Sequence, residues 1–317
     1  MILESMYKKP IRLLPRDTIG IIAPCGPVQL SKLNRGIQYV KNCGYKVILG
    51  EYVTKRSGYL AGSDAERLSD IHSMFSNPEV KAIYAARGGY GSIRLLDKIN
   101  YELIKNNPKI FSGYSDVTAL QLAFIHCAQL VTFSGLMVAP DFGEKQINST
   151  ADNHFWSLLK KDLRARELTA YSSAHLEVVY PGLARGIVIG GCLTVLLGCI
   201  GTQYCPDFTG ALLVLEDVGE ELYRIDRAFA TLKQHKILKK INGLVLGQFV
   251  NCRASKKRDQ HITIRDIVEP IAREYKVPTV MNFSYGHIPE KLTVPFGILA
   301  ELDTRKRAFT LLEDAVN

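Results

Sequence analysis

The 317-residue chain has no Cys-x-x-Cys pair, although it carries seven cysteines. An odd count without that spacing argues against both a cysteine zinc site and a disulfide framework. Cys25, Cys43, Cys127, Cys192, Cys199, Cys205 and Cys252 lie mostly in apolar stretches. That placement fits reduced thiols in a reducing compartment. No apolar core of signal-peptide length follows Met1, so a cytoplasmic location is expected. Neither G-x-G-x-x-G nor G-K-[S/T] occurs, which leaves nucleotide phosphate binding weakly supported. Internal repeats and low-complexity segments are also missing. The formal net charge is +9, but the basic residues are spread out. Their densest cluster, Arg253 with Lys256-Lys257-Arg258, has no interleaved aromatic residue. Nucleic acid is therefore not expected as a partner, and a small anionic substrate fits the charge better.

Charge is also absent from Gly186 to Pro206, a run long enough to span a bilayer. Five glycines interrupt it, along with Thr194, Thr202 and Gln203. We read it as a buried strand, a tight turn at Gly190-Gly191 and a short core helix. No membrane span is expected.

The N-terminal half alternates strand and helix patterns. Short apolar runs at Thr18–Ala23, Lys46–Leu49, Ala82–Ala85 and Lys109–Ser112 read as strands. Helical spacing predicts helices over Ser31–Asn42, Ala65–Phe75, Ile93–Ile99 and Thr118–Cys127. Such alternation indicates a Rossmann-like parallel sheet, whose sites lie at the carboxyl ends of its strands. A more polar stretch from Asp141 to Ser173, with one helix over Ala151–Lys160, reads as a join, and the second pattern begins near His175. Strands are predicted at Glu177–Tyr180, Ala184–Ile189, Ala211–Leu215, Gly243–Gly247 and Thr279–Phe283, and helices at Leu222–His235 and Ile264–Glu274. A closing hairpin over Ala300–Asp303 and Arg307–Leu312 completes a mixed β/α half. The expected fold class is α/β in two domains, 1–165 and 166–317, with the site between them.

Four strand ends carry chemistry. In Gly113-Tyr114-Ser115-Asp116, a strand runs into a helix. A serine on such a turn is exposed in the positive field of the helix N-terminus, and the following N–H can donate to an oxyanion. The second glycine of G-x-S-x-G is replaced by Val117. Two readings stay open at this segment: a helix cap at Ser115 or Asp116, and Ser115 as nucleophile. In Arg87-Gly88-Gly89-Tyr90-Gly91, the glycines allow close backbone approach; this is either a plain turn or a second oxyanion donor at Gly89. Glu216 ends an apolar strand, so its carboxylate needs a buried partner such as an imidazole, although acids there also suit a helix start. His287 follows Gly286 at a strand end, whereas the other six histidines fall mainly on helices or linker-like segments. Together, Ser115, His287 and Glu216 can fill the roles of nucleophile, base and base-orienter.

At these segments the chain resembles the LD-carboxypeptidase family of murein tetrapeptide carboxypeptidases and microcin-immunity peptidases. The resemblance rests on Ala86–Gly91, Gly113–Leu120, Gly190–Leu193 with Gly201-Thr202, Leu215–Arg227 and Tyr285–His287, in order over most of the chain. It implies a triad of Ser115, Glu216 and His287, with the backbone of Gly89 and Asp116 as oxyanion hole. It also implies a cytoplasmic homodimer with no metal and no cofactor. The implied reaction removes the terminal D-alanine from a murein tetrapeptide, at meso-diaminopimelate or L-lysine, in peptidoglycan recycling. Where the family often carries a His-Gly-Pro run, this chain reads Ser134-Gly135-Leu136. Three rivals remain: hydrolysis of a peptidyl or aminoacyl adenylate antibiotic, a cysteine hydrolase using Cys25 or Cys192, and a non-catalytic two-lobed binding protein.

Overall fold

The computed structural model describes residues 7–171 and 176–317. Residues 1–6, read above for a signal core, and the expected second start near His175 lie outside the described residues. In chain order the elements are β1 (Thr18–Ile22), α1 (Leu30–Asn42), β2 (Lys46–Leu49), α2 (Asp64–Ser76), β3 (Val80–Ala85), α3 (Tyr101–Asn106), β4 (Ile110–Gly113), α4 (Thr118–Ala128), β5 (Thr132–Ser134) and α5 (Ser149–Leu159). They continue as β6 (Glu177–Tyr180), β7 (Leu183–Cys192), α6 (Leu193–Cys199), β8 (Leu212–Val218), α7 (Leu222–Gln234), α8 (Ile237–Lys240), β9 (Gly243–Val250), α9 (Ile264–Tyr275), β10 (Thr279–Met281), β11 (Val294–Phe296), β12 (Leu299–Asp303) and β13 (Ala308–Leu311).

The molecule is α/β, with two sheets. The first has the order β11-β5-β4-β3-β1-β2, and only the β11–β5 pairing is antiparallel. Every residue of β1 is buried, as expected of a continuous apolar run covered by helices on both faces. The second sheet has the order β13-β12-β7-β8-β9-β10-β6, with a parallel centre and antiparallel edges. The uncharged run from Gly186 resolves into β7 and α6, and among the described residues no helix is long and apolar enough to cross a membrane.

Three features tie the halves together. β11 lies far along the chain yet completes the first sheet. Asn317 and Arg12 are joined backbone to backbone at 3.1 Å, and Lys9 pairs with Glu313 at 2.6 Å. α4 is buried along nearly its whole length, and at its start the Thr118 hydroxyl accepts from the Cys192 N–H at the end of β7, at 3.1 Å. The stretch read as a polar join also contributes to a core. Phe142, Phe155 and Trp156 are buried; Tyr39 stacks on Phe142, Tyr45 stacks on Trp156, and Tyr84 meets Phe155 edge-on. Between Ser92 and Asn106 the expected helix is a 3-10 turn, Ser92–Lys98, followed by α3, whose N-cap Asn100 accepts from the Leu103 N–H.

Candidate active site

Strand β4 ends at Gly113, Tyr114 is extended, and Ser115 takes φ 64° as the first residue of a 3-10 turn, Ser115–Val117, that leads into α4. A left-handed conformation is costly for a residue with a Cβ, and such strain gathers at functional turns. No side-chain cap bond closes the 3-10 turn or α4. The Asp116 carboxylate accepts instead from the Ser92 N–H at 2.9 Å, and the Asp116 carbonyl from the Ser92 hydroxyl. These bonds fasten the glycine-rich turn after β3 to the serine turn after β4. Gly88 is required by the close approach: a Cβ there would lie 2.9 Å from the Ser115 Cβ and 3.1 Å from its Oγ.

On the second sheet, Glu216 sits inside β8, in register with Cys192, and is 1% exposed. Its Oε2 lies 2.7 Å from His287 Nδ1. Its Oε1 is buried with no hydrogen-bond partner, so the imidazole is the carboxylate's principal compensation. With the Nδ1 proton donated to Glu216, Nε2 carries the free lone pair. Gly286 permits this contact in two ways. Its φ is +115°, and an added Cβ would come within 2.7 Å of Glu216 Oε2. The neighbouring Asp217 has a different job: it accepts from the Thr194 N–H at 2.9 Å, in the first turn of α6. Burial raises its carboxyl above the ordinary range.

Ser115, Gly89 and His287 line one open cleft of about 370 Å³, with Arg87 and Lys32 on its wall. A second lobe of about 700 Å³ shares Lys32, Tyr114, Pro140 and His287 with the first. The Tyr114 ring meets the His287 ring edge-on, 5.2 Å between centroids. The Asp116 carboxylate is turned back to the Ser92 N–H, and the residue is 5% exposed. The site residues read from sequence are therefore gathered, with Glu216 and the Asp116 carboxylate one layer back.

Sequence reasoning missed several supports. Lys291 and Asp141 form a buried ion pair at 2.5 Å, and the Lys291 ammonium lies 4.6 Å over the Tyr114 ring. Buried Arg67 donates to the carbonyls of Pro24 at 2.6 Å and Gly91 at 2.9 Å, holding two loops at the cleft. Tyr285 and Ser134 share a buried hydrogen bond of 2.6 Å. Each joins residues remote in sequence, so no local pattern marks it. Burial pushes the Cys25 and Cys192 thiols well up, which leaves them poor nucleophiles. Among the described residues, no group of three or more His, Cys, Asp or Glu is placed to hold a metal.

Residues 19–135 match the LD-carboxypeptidase N-terminal domain and residues 185–302 the LD-carboxypeptidase C-terminal domain. The chain is 35% identical to the "probable murein peptide carboxypeptidase" of Bacillus subtilis, over 96% of this chain and 94% of that one. It is 27% identical to the microcin C7 self-immunity protein of Escherichia coli, over 99% and 98%. The crystal structure of muramoyltetrapeptide carboxypeptidase from Oxalobacter formigenes superimposes with a TM-score of 0.80 at 32% identity, over 93% of this chain and 97% of that one. The chain belongs to the LD-carboxypeptidase family and is a serine-type carboxypeptidase.

Proposed function

We propose that this enzyme removes the terminal D-alanine from murein tetrapeptides, with Ser115 as nucleophile, His287 as general base and Glu216 as its orienter. The observation that carries this reading is the buried Glu216–His287 contact of 2.7 Å, facing the cleft that Ser115 also lines. Glu216 fixes the imidazole with its proton on Nδ1, and Nε2 takes the Ser115 proton as Oγ attacks the carbonyl. The N–H groups of Gly89 and Asp116 hold the oxyanion; the first N–H groups of a helix have no intrahelical partner and suit that task. His287 then protonates the departing amine of D-alanine. Water, activated by the same imidazole, releases the acyl group from Ser115. The reading includes a homodimer in the cytoplasm serving peptidoglycan recycling, and a chain divided at 165/166.

Mass spectrometry of a murein tetrapeptide digest tests the reaction. The expected result is loss of one alanine residue by the native enzyme and none by Ser115→Ala. Normal turnover by Ser115→Ala would refute the nucleophile. The second reading is supported by the similarity to the microcin C7 self-immunity protein. Turnover of an aminoacyl adenylate conjugate without turnover of the tetrapeptide would move the substrate to that class.

A further inference from the structure

The nucleophile turn follows β4 of the first sheet, whereas His287 stands in the connection that leaves β10 of the second sheet and returns to the first as β11, with Val294 opposite Ser134; the base is thus held between those two anchored ends. The Tyr285 hydroxyl and Ser134 Oγ meet at 2.6 Å across 151 residues of chain, and both residues are almost fully buried. Ser134 lies in β5 and pairs in register with Gly113, two residues before Ser115. The next residue, Gly135, donates its N–H to the Gly113 carbonyl at 3.2 Å, and the Gln121 amide bonds both Gly113 and Phe133. Ser134 is thus rigidly tied to the strand that delivers the nucleophile.

Tyr285 is tied as firmly to the base. It stands two residues before His287, and its carbonyl accepts from the Gln248 N–H at 2.9 Å. Gly247 leaves room for it: a Cβ there would lie 2.5 Å from the Tyr285 carbonyl oxygen and 3.0 Å from its ring. Between Tyr285 and His287, Gly286 lies against Glu216. The hydrogen bond therefore joins two stiff arms, one ending at each reacting side chain.

We propose that Tyr285 and Ser134 are positioning residues, a cross-brace that sets the distance between the Ser115 hydroxyl and the His287 imidazole. The inference rests on the nucleophile and base assigned above. Proton transfer from Ser115 requires hydrogen-bond reach, and a displacement of about 1 Å can cost on the order of a hundredfold in rate. A simply structural bond behaves differently. Tyr285→Phe or Ser134→Ala leaves one buried hydroxyl without its partner and destabilises the fold, whereas the double variant removes both groups and relieves that penalty.

The test compares Tyr285→Phe, Ser134→Ala and the double variant for thermal stability, for kcat and KM on the tetrapeptide, and for phosphonylation of Ser115 by a fluorophosphonate. A brace predicts roughly ten- to hundredfold lower kcat and labelling rate in all three, with KM within about threefold of native. It also predicts that the double variant regains stability without regaining rate. Native kcat and labelling in a folded double variant would overturn the proposal, as would rates that follow stability across the series. If one single variant does not fold, the other single and the double give the same decision. Ser115→Ala separates the two claims: activity retained there defeats the assignment of the nucleophile, whereas an inactive Ser115→Ala beside a fast double variant defeats only the brace.

Discussion

The nucleophile turn and the base arm are held by contacts of different reach along the chain. The turn on the first sheet is held within its own sheet: Ser115 at φ 64°, Gly88 of the preceding strand's loop pressed against it, and the Asp116 carboxylate accepting from the Ser92 N–H. The arm, between β10 of the second sheet and β11 of the first, is held by partners far along the chain: Glu216 to His287, Tyr285 to Ser134, and the Tyr285 carbonyl to the Gln248 N–H. The turn's partners come from the adjacent strand's loop, close in the sequence. The arm's contacts join residues far apart in the chain, so they are set by the fold. The turn should therefore resist distant substitutions, and the arm should be sensitive to them.

Glu216→Gln attacks the arm most directly. It keeps the volume and removes the charge that orients and stabilises the imidazole. Its kcat should fall by about 10³-fold, with KM nearly unchanged. Steady-state kinetics check this, and a loss confined to KM would break the distinction between arm and turn.

Two glycine substitutions sharpen the comparison. Gly286→Ala meets both a φ of +115° and the Glu216 carboxylate at 2.7 Å. It should lower kcat by roughly ten- to hundredfold and stability by about 1–3 kcal/mol. Gly88→Ala is crowded chiefly by the Ser115 side chain, at 2.9 Å, with no positive φ. Its damage should appear in the labelling rate of Ser115 with a smaller change in melting temperature. Calorimetry beside a labelling time course distinguishes the two.

The smallest effect is a pH dependence in the nucleophile half, away from the site. Burial raises the Asp70 carboxyl from its ordinary value to about 6, although the Tyr52 and Glu51 N–H groups oppose this. Between about pH 4 and 6 the native state keeps a proton that the unfolded chain has released. Stability from this group is thus full below pH 4 and lost as pH rises through 6. Asp70→Asn should flatten that slope by on the order of 1 kcal/mol, read by denaturant unfolding at several pH values, while Ser115 labelling stays native.

Much of this was legible beforehand for a physical reason. β1 and β4 are buried at every position and β3 at all but Lys81, so each reads as a short, mainly apolar run. Ser115, Glu216 and His287 stood out because each ends or follows such a run. The three-residue strands β5 and β11 are too short for any periodicity, and they form because partners exist to pair with. Arg67 reads as an ordinary polar residue of α2 yet is 1% exposed, its charge met by Asp64 and two carbonyls. Lys291 and Asp141 stand 150 residues apart, and no local pattern could have paired them.

The most direct measurement is the rate and position of fluorophosphonate attachment in native enzyme and in His287→Ala. The account predicts a single adduct on the peptide containing Ser115, formed at least about a hundredfold more slowly without the imidazole. An adduct on another residue, or labelling of Ser115 at an unchanged rate in His287→Ala, would contradict it.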